Sequence, residues 1–223
     1  MRTAPPPTTP TPHIYDAFAP HYDRALRPLE RLLLRRLRAA TLHALNADND
    51  TPGGYGARSG HNNGDARILE IGAGTGLNFA HYPPDAHGAA TEPSREMLRR
   101  ARQKTRPARL RLVQNSAEAL PFADDSFDAA FATLVFCSVA SPSKAFAELR
   151  RVVRPGGRVV LLEHVRPAGL LGPVFDALSF FTVRLFDDHF NRRTAEEARR
   201  SGLRLLRVER HALGIIQLIV CEV

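Results

Sequence analysis

Ile68-Leu69-Glu70-Ile71-Gly72-Ala73-Gly74-Thr75-Gly76-Leu77-Asn78 is the stretch on which the fold turns. A short apolar run of strand length drives into three glycines at alternate positions. Glycines in such a turn admit a tight backbone and let a ligand approach without a Cβ in the way. The spacing differs from a dinucleotide fingerprint, G-x-G-x-x-G, whose third glycine would fall at Leu77. Glu70 stands just before the turn, and a carboxylate there would repel a pyrophosphate and favour a cation.

Working outward, the chain alternates strand and helix. Arg67–Ile71 reads as the first strand, and a helix is expected after the glycines. Ala89–Glu92 is a second strand and Ser94–Lys104 a helix. Leu110–Gln114 and Phe127–Thr133 are the third and fourth strands. Ser143–Val153 is a helix stopped by Pro155-Gly156-Gly157, and Arg158–Glu163 is the fifth strand. Leu203–Arg210 and Ile215–Glu222, separated by a few residues that include Gly214, read as an antiparallel hairpin at the sheet edge. The pattern predicts an α/β fold: a Rossmann-like, seven-stranded, mostly parallel sheet with helices on both faces and an antiparallel C-terminal hairpin.

Glu92 ends the second strand 20 residues beyond Gly72. A carboxylate at that place accepts ribose hydroxyls in doubly wound folds. After the third strand, Asn115-Ser116-Ala117-Glu118-Ala119-Leu120-Pro121-Phe122 is a polar turn. It can bond an adenine edge while Leu120 or Phe122 packs nearby, or it is a loop with a capping serine. A nucleoside that bears cations and no phosphate fits the whole set, and S-adenosylmethionine, with its sulfonium and ammonium, is that molecule.

The segments Glu70-x-Gly72-x-Gly74-x-Gly76, Glu92-Pro93-Ser94, Ser116-Ala117-Glu118-Ala119-Leu120-Pro121-Phe122, Asp125-Ser126-Phe127-Asp128 and Leu149 to Gly157 resemble the successive motifs of class I methyltransferases. They are of the type-11 group, which includes the ubiquinone and menaquinone C-methyltransferases. The resemblance implies that Glu70, Gly72, Gly74 and Gly76 hold the methionine end of the cofactor. It implies Glu92 and Pro93 at the ribose, Ser116 and Ala117 at the adenine, and Thr133 beside the cofactor. Many members have Asp where this chain has Ser116. Gly74 to Phe79 with Tyr82-Pro83-Pro84, Thr133 to Val139, Glu163-His164-Val165 and Leu185 to Thr194 also look like the thiol S-methyltransferases and the bacterial phospholipid N-methyltransferases. Ile14 to Asp23, with Tyr15 and Tyr22, resembles the N-terminal lid motif of this group.

On the acceptor side, the fourth and fifth strands end near Thr133 and Glu163, so Cys137, Ser138, Glu163 and His164 are expected to face the transferred methyl. Methyl transfer needs an aligned nucleophile and, where that nucleophile carries a proton, a base. His164 is the candidate base, with a structural loop histidine as the alternative. Cys137 is either a small packing residue or a reactive thiol. Tyr22 either closes over the methyl or packs between helices. No metal is expected; Asp187, Asp188, His189 and Asn191 read as a polar cluster without one.

The remaining sequence sets the organisation. With 223 residues and 43% hydrophobic composition, one α/β domain is expected. Residues 1–12 read as a disordered Pro/Thr tail, 13–45 as N-terminal lid helices, 46–66 as a flexible loop and 67–223 as the cofactor-binding domain. Within it, 166–193 is an insertion whose apolar middle suggests a cap over a lipophilic substrate, or a core helix. Two cysteines build neither a disulfide framework nor a four-ligand zinc site, which suits a reducing cytoplasm. No apolar run is long enough to span a bilayer.

The net charge is +8, carried by arginines apart from Lys104 and Lys144. These are spread over several predicted helix faces, as general composition or as a functional basic surface. Arg27, Arg31, Arg35, Arg36 and Arg38 alternate with leucines in the N-terminal helices. They form either a solvated helix face or a basic helix lying on a membrane. There is no basic run interleaved with aromatics, so nucleic acid is not the expected partner. The expected activity is methyl transfer from S-adenosylmethionine to a small lipophilic acceptor (thiol, phospholipid amine or quinone precursor) by a cytoplasmic enzyme with peripheral membrane contact. RNA methylation and non-catalytic cofactor binding are the alternatives.

Overall fold

The computed structural model describes residues 12–46, 66–165 and 192–223. The start of the chain, nearly all of the 46–66 stretch and nearly all of the 166–193 insertion lie outside the described residues. Seven strands form one sheet: β1 (Arg67–Ile71), β2 (His87–Thr91), β3 (Arg109–Val113), β4 (Phe127–Thr133), β5 (Val153–His164), β6 (Arg204–His211) and β7 (Ile216–Glu222). Their order is β3-β2-β1-β4-β5-β7-β6. The first five run parallel, while β7 is antiparallel to both β5 and β6. Among the described residues five α-helices accompany them: α1 (Pro12–Leu29), α2 (Arg35–Asn46), α3 (Arg95–Ala101), α4 (Pro142–Val152) and α5 (Thr194–Arg200). A π-helical turn, Glu30–Leu34, joins α1 to α2.

Strand alternation sorts the core into two layers. Ile68, Ala129, Phe131, Val160 and Leu162 face one side and pack with Leu34, Leu37, Leu42 and Leu45 from the N-terminal helices. Leu69, Ile71, Ala130, Val159 and Leu161 face the other and pack with Phe146 and Leu149 of α4 and Ala198 of α5. Strands that bury both faces read as near-continuous apolar runs, and β1, β4 and β5 do so. Strand order reverses between β1 and β4, so the crevice beyond their carboxyl ends is where a doubly wound sheet binds ligands.

The structure departs from the sequence reading in two places. After the glycine turn the chain makes a five-residue 3-10 helix, Leu77–His81, in place of the expected α-helix. Pro83 and Pro84 explain the stop: a proline offers no N–H and disfavours helix in the residue before it. The second departure is Pro155-Gly156-Gly157, which lies inside β5 and not before it. Gly156 N donates to the Val223 carbonyl at 2.9 Å, and Val223 N to Gly157 at 3.0 Å. The β4–β5 register slips between Phe127 and Ala129, so this breaker is absorbed as an irregularity in the strand.

Phe131 is fully buried on β4, with its ring 5.7 Å from that of Tyr82. Phe131→Ala should cost roughly 3–5 kcal/mol, because the strand cannot collapse into the space left behind. A lowered denaturation midpoint with an unchanged slope would show it.

Candidate functional site

The glycine turn continues β1 at the topological switch point. Gly72, Gly74 and Gly76 all have positive φ, at 65°, 55° and 81°. Their surroundings differ. A Cβ on Gly72 would sit 2.5 Å from Val135 Cγ2, and one on Gly76 would strike the Phe79 ring. A Cβ on Gly74 would meet nothing within 4 Å. Gly74 therefore borders open space, and its backbone is the approachable part of the turn.

Glu92 lies across from that opening and is buried. Its Oε2 accepts from Gly74 N at 2.9 Å and its Oε1 from Ser94 N at 2.8 Å. Burial raises its carboxyl to about 7, against the pull of these two N–H groups; Glu70 and Asp16 push it further up. Pro93 is exposed, and its carbonyl accepts from Gln114 Nε2 at 3.2 Å. Ser116 is also exposed, its hydroxyl accepting from Glu118 N at 3.3 Å, while Ala117 is packed in the core on the α4 side. Backbone bonds from Glu92 N to Val113 O (3.1 Å) and from Asn115 N to Glu92 O (3.3 Å) hold the polar turn after β3 beside the end of β2.

The sequence reading placed Glu70 at the methionine end of the cofactor. In the structure its side chain serves the scaffold. It is fully buried, with Oε1 accepting from Asn78 Nδ2 at 2.7 Å and Oε2 from the Tyr82 hydroxyl at 2.9 Å. Burial lifts its carboxyl to about 6, opposed by Asn78, Tyr82 and Arg38. Thr133 is drawn into the same network. Its Oγ1 is 2.8 Å from both Asn78 Nδ2 and Arg38 Nη1. Arg38, itself buried, also donates to Asn78 Oδ1 at 2.9 Å and pairs with Glu30 at 2.7 Å. Glu30, Arg38, Asn78, Thr133, Glu70 and Tyr82 are thus one connected polar cluster under the glycine turn.

α1 is fastened over this region by two carboxylates. Asp16 Oδ1 accepts from Ser94 Oγ at 2.5 Å and Glu96 N at 3.1 Å. Asp23 accepts from Thr75 Oγ1 at 2.5 Å and pairs with Lys104 Nζ at 2.7 Å. Arg38, read from the sequence only as one arginine of a solvated or membrane-lying helix face, is instead buried among polar partners, and Asn78, Asp16 and Asp23 were given no role. A signal existed for the two aspartates: seven residues is close to two helical turns, so both lie on one face.

Tyr22, on α1, is within electrostatic reach of Arg38, Cys137, Glu92 and Glu30. Burial pushes its hydroxyl up to about 12, with Arg38 opposing. Cys137 is buried in the turn after β4. Glu163 fixes that turn, since its Oε1 accepts from Val135 N at 3.0 Å and Phe136 N at 3.2 Å. His164 is the last residue of β5 and partly buried. By alternation it projects on the side of Val160, Leu162 and the N-terminal helices, opposite to Glu163. The polar cluster at 187–191 lies outside the described residues.

A doubly wound sheet with an open glycine turn at its switch point, faced by a buried carboxylate, defines a nucleoside-cofactor protein of the Rossmann-like class. Residues 69–161 match the family model described as a methyltransferase domain. The demethylmenaquinone methyltransferase of Renibacterium salmoninarum is 31% identical over 180 residues, 80% of this chain and 68% of that protein. The chain belongs to the S-adenosylmethionine-dependent methyltransferases.

Human thiol S-methyltransferase TMT1B is 37% identical over 107 residues, covering 46% of this chain and 44% of the relative. The phosphatidylethanolamine N-methyltransferase of Cereibacter sphaeroides is 38% identical over 120 residues, covering 52% and 59%. The chain therefore spans about half the length of these two relatives. Among solved structures, the methyltransferase in complex with the Haloferax volcanii Trm112 activator superposes with TM-score 0.67 at 20% identity, covering 93% of this chain and 96% of that one. A SAM-dependent methyltransferase from Thermotoga maritima gives 0.60 at 22%, covering 94% and 98%. At such identities the two structures speak for the fold alone.

The residues fit the cofactor: Gly74 borders open space on its Cα side, and the Glu92 carboxylate that accepts from its N–H lies beside it. Two predictions follow from this geometry. Gly74→Ala should weaken S-adenosylmethionine binding at least about tenfold, since the methyl group enters the open space and the left-handed backbone costs about 1–2 kcal/mol; calorimetric titration measures it. Affinity should also tighten as pH rises from about 6 to about 8, because ionised Glu92 is the better acceptor for hydroxyls. Stability of the free protein moves the opposite way. A carboxyl raised from 4.5 to about 7 contributes stability that is complete below 4.5 and lost as pH rises through about 7. Thermal melts across the same pH series check that sign.

Proposed function

We propose that the chain transfers the methyl group of S-adenosylmethionine to a small lipophilic acceptor whose nucleophile is a thiol, a phospholipid amine or a quinone-precursor carbon. The observation that carries this reading is that Tyr22, on the α1 helix fastened to Thr75 and Ser94, lies within electrostatic reach of Cys137 and Glu92 at the strand ends. The named relatives support the same range, since they act on a thiol, on phosphatidylethanolamine and on demethylmenaquinone.

Bound S-adenosylmethionine supplies an electrophilic methyl on a sulfonium. Around it we assign Glu92 to the ribose, the backbone at Gly74 to the methionine portion, and the turn at Ser116 and Ala117 to the adenine. Glu70 and Thr133 act from below, by keeping the glycine turn in place through Asn78. With its hydroxyl raised to about 12, Tyr22 stays protonated near neutrality. It therefore serves as a hydrogen-bond donor and as an aromatic face toward positive charge, not as a base. The acceptor's heteroatom or carbon forms its bond to the methyl as the carbon–sulfur bond breaks. The displaced proton passes to His164, whose side of the sheet is that of α2.

A labelled-methyl assay should detect transfer to at least one of an alkyl thiol, phosphatidylethanolamine vesicles or a demethylated quinone. His164→Ala should lower kcat by about 10²-fold or more while leaving the cofactor Kd within about threefold. Tight cofactor binding with no transfer to any of the three would defeat the lipophilic-acceptor reading. An unchanged kcat in the variant would remove His164 from the proton path.

A further inference from the structure

The N-terminal helical segment sorts its charges by direction. Its three acidic residues all point inward: Asp16 to Ser94, Asp23 to Thr75 and Lys104, and Glu30 to Arg38. Four of its five exposed arginines, Arg24, Arg27, Arg31 and Arg35, are spaced three, four and four residues apart. That is the spacing of a single stripe along a helix. Among the described residues none of these four is in an ion pair. The exposed side therefore carries uncompensated positive charge.

Apolar side chains are also exposed on this segment. Phe18 is 40% exposed, Leu29 42% and Leu32 80%. Phe18 and Leu29 are eleven residues apart, about three helical turns, and Leu29 and Leu32 are neighbours at i and i+3. Leu32 borders the basic stripe, three residues from Arg35 and four from Arg36, while Phe18 and Leu29 flank it, and a segment that exposes both kinds of side chain has a matching environment at the boundary between anionic headgroups and acyl chains. Phosphates of a nucleic acid would satisfy the arginines but offer nothing to Leu29, Leu32 and Phe18. The π-helical turn at Glu30–Leu34 carries Leu32 outward while it sends Leu34 fully into the core.

We infer that the outer face of α1 and the following turn, built from Phe18, Leu29, Leu32 and the arginine stripe, docks on the surface of a bilayer containing anionic phospholipid. Docking there is peripheral, since no helix among the described residues is long and apolar enough to cross a membrane. The inner face of the same segment is fastened to Thr75 and Ser94, so docking seats the cofactor turn at the lipid boundary. The inference rests on surface chemistry and not on the identity of the methyl acceptor.

Co-sedimentation of the full chain with vesicles tests it. One set is pure phosphatidylcholine and the other contains about a third phosphatidylglycerol. The chain should bind the anionic vesicles at least about tenfold more tightly, with affinity falling as salt is raised. Leu29→Ser/Leu32→Ser and Arg27→Glu/Arg31→Glu/Arg35→Glu should each lose about tenfold or more in vesicle affinity. Both should keep the wild-type melting temperature and S-adenosylmethionine affinity, because these side chains are exposed and outside the site. Equal binding to the two vesicle types, no binding to either, or variants that bind like wild type would overturn the proposal. So would a leucine variant that binds vesicles normally while the arginine variant alone fails, together with tight salt-dependent binding of RNA. Vesicle binding requires no methyl transfer, so its failure is read separately from failure of the acceptor assay.

Discussion

One guanidinium holds the N-terminal helices to the carboxyl ends of the strands. Arg38 leaves α2, is almost entirely buried, and meets Glu30, Asn78 and Thr133 at 2.7–2.9 Å. A buried cation is costly unless its donors are matched, and here they are matched to a carboxylate, an amide and a hydroxyl. Asn78 then spends its own amide on Glu70 and Thr133, linking β1, β4 and the 3-10 helix. The glycine turn is bracketed by these bonds. Its open edge at Gly74 keeps its place because the residues on either side of it cannot move independently of α2.

The two carboxyls that flank the turn feel opposite demands. Glu70 and Glu92 are both buried and both raised, to about 6 and about 7. Each ionises at a cost to the free protein, and each is partly repaid by hydrogen bonds that also shape the turn. Glu70's partners are side chains that belong to the scaffold. Glu92's are the backbone N–H groups of Gly74 and Ser94, next to the opening. The same residue type near the ends of adjacent strands is thus bonded to side chains at β1 and to backbone N–H groups of the glycine turn and α3 at β2. The difference comes from what surrounds each carboxyl.

That distinction explains how much was legible in the sequence. β1 and β4 were predicted to the residue, because apolar runs bounded by glycine and polar turns leave little choice of period. The seven-stranded sheet and its C-terminal hairpin followed from alternation and from Gly214. The acidic residues flanking the turn were visible as residues, but their orientation was not. Whether Glu70 faces a ligand or a neighbouring Asn78 depends on the 3-10 helix, and that depends on Pro83 and Pro84 stopping an α-helix that periodicity alone would continue. Arg38 was invisible for another reason. It sits in a row of arginines with identical local spacing, and only tertiary packing separates the one that is buried from those that face out. Pro155-Gly156-Gly157 read as a stop because its pairing partner, Val223, lies at the far end of the chain.

The N-terminal segment shows what such sorting accomplishes. The inner face of α1 is fastened by polar groups around the glycine turn. Here the fastening is by single carboxylates to Ser94 and to Thr75 with Lys104, at positions only partly shielded from water. Of these, only Asp23 with Lys104 is an ion pair, partly exposed and worth about 0–1 kcal/mol; the others are hydrogen bonds from the buried Ser94 and Thr75 hydroxyls and from Glu96 N. Arg38 and the leucines of α2, by contrast, are buried and anchor the far end of the segment. The π-helical turn lies between the weakly fastened part and the strongly anchored part. The segment is therefore held at α1 by polar contacts around the glycine turn and at α2 by burial in the core.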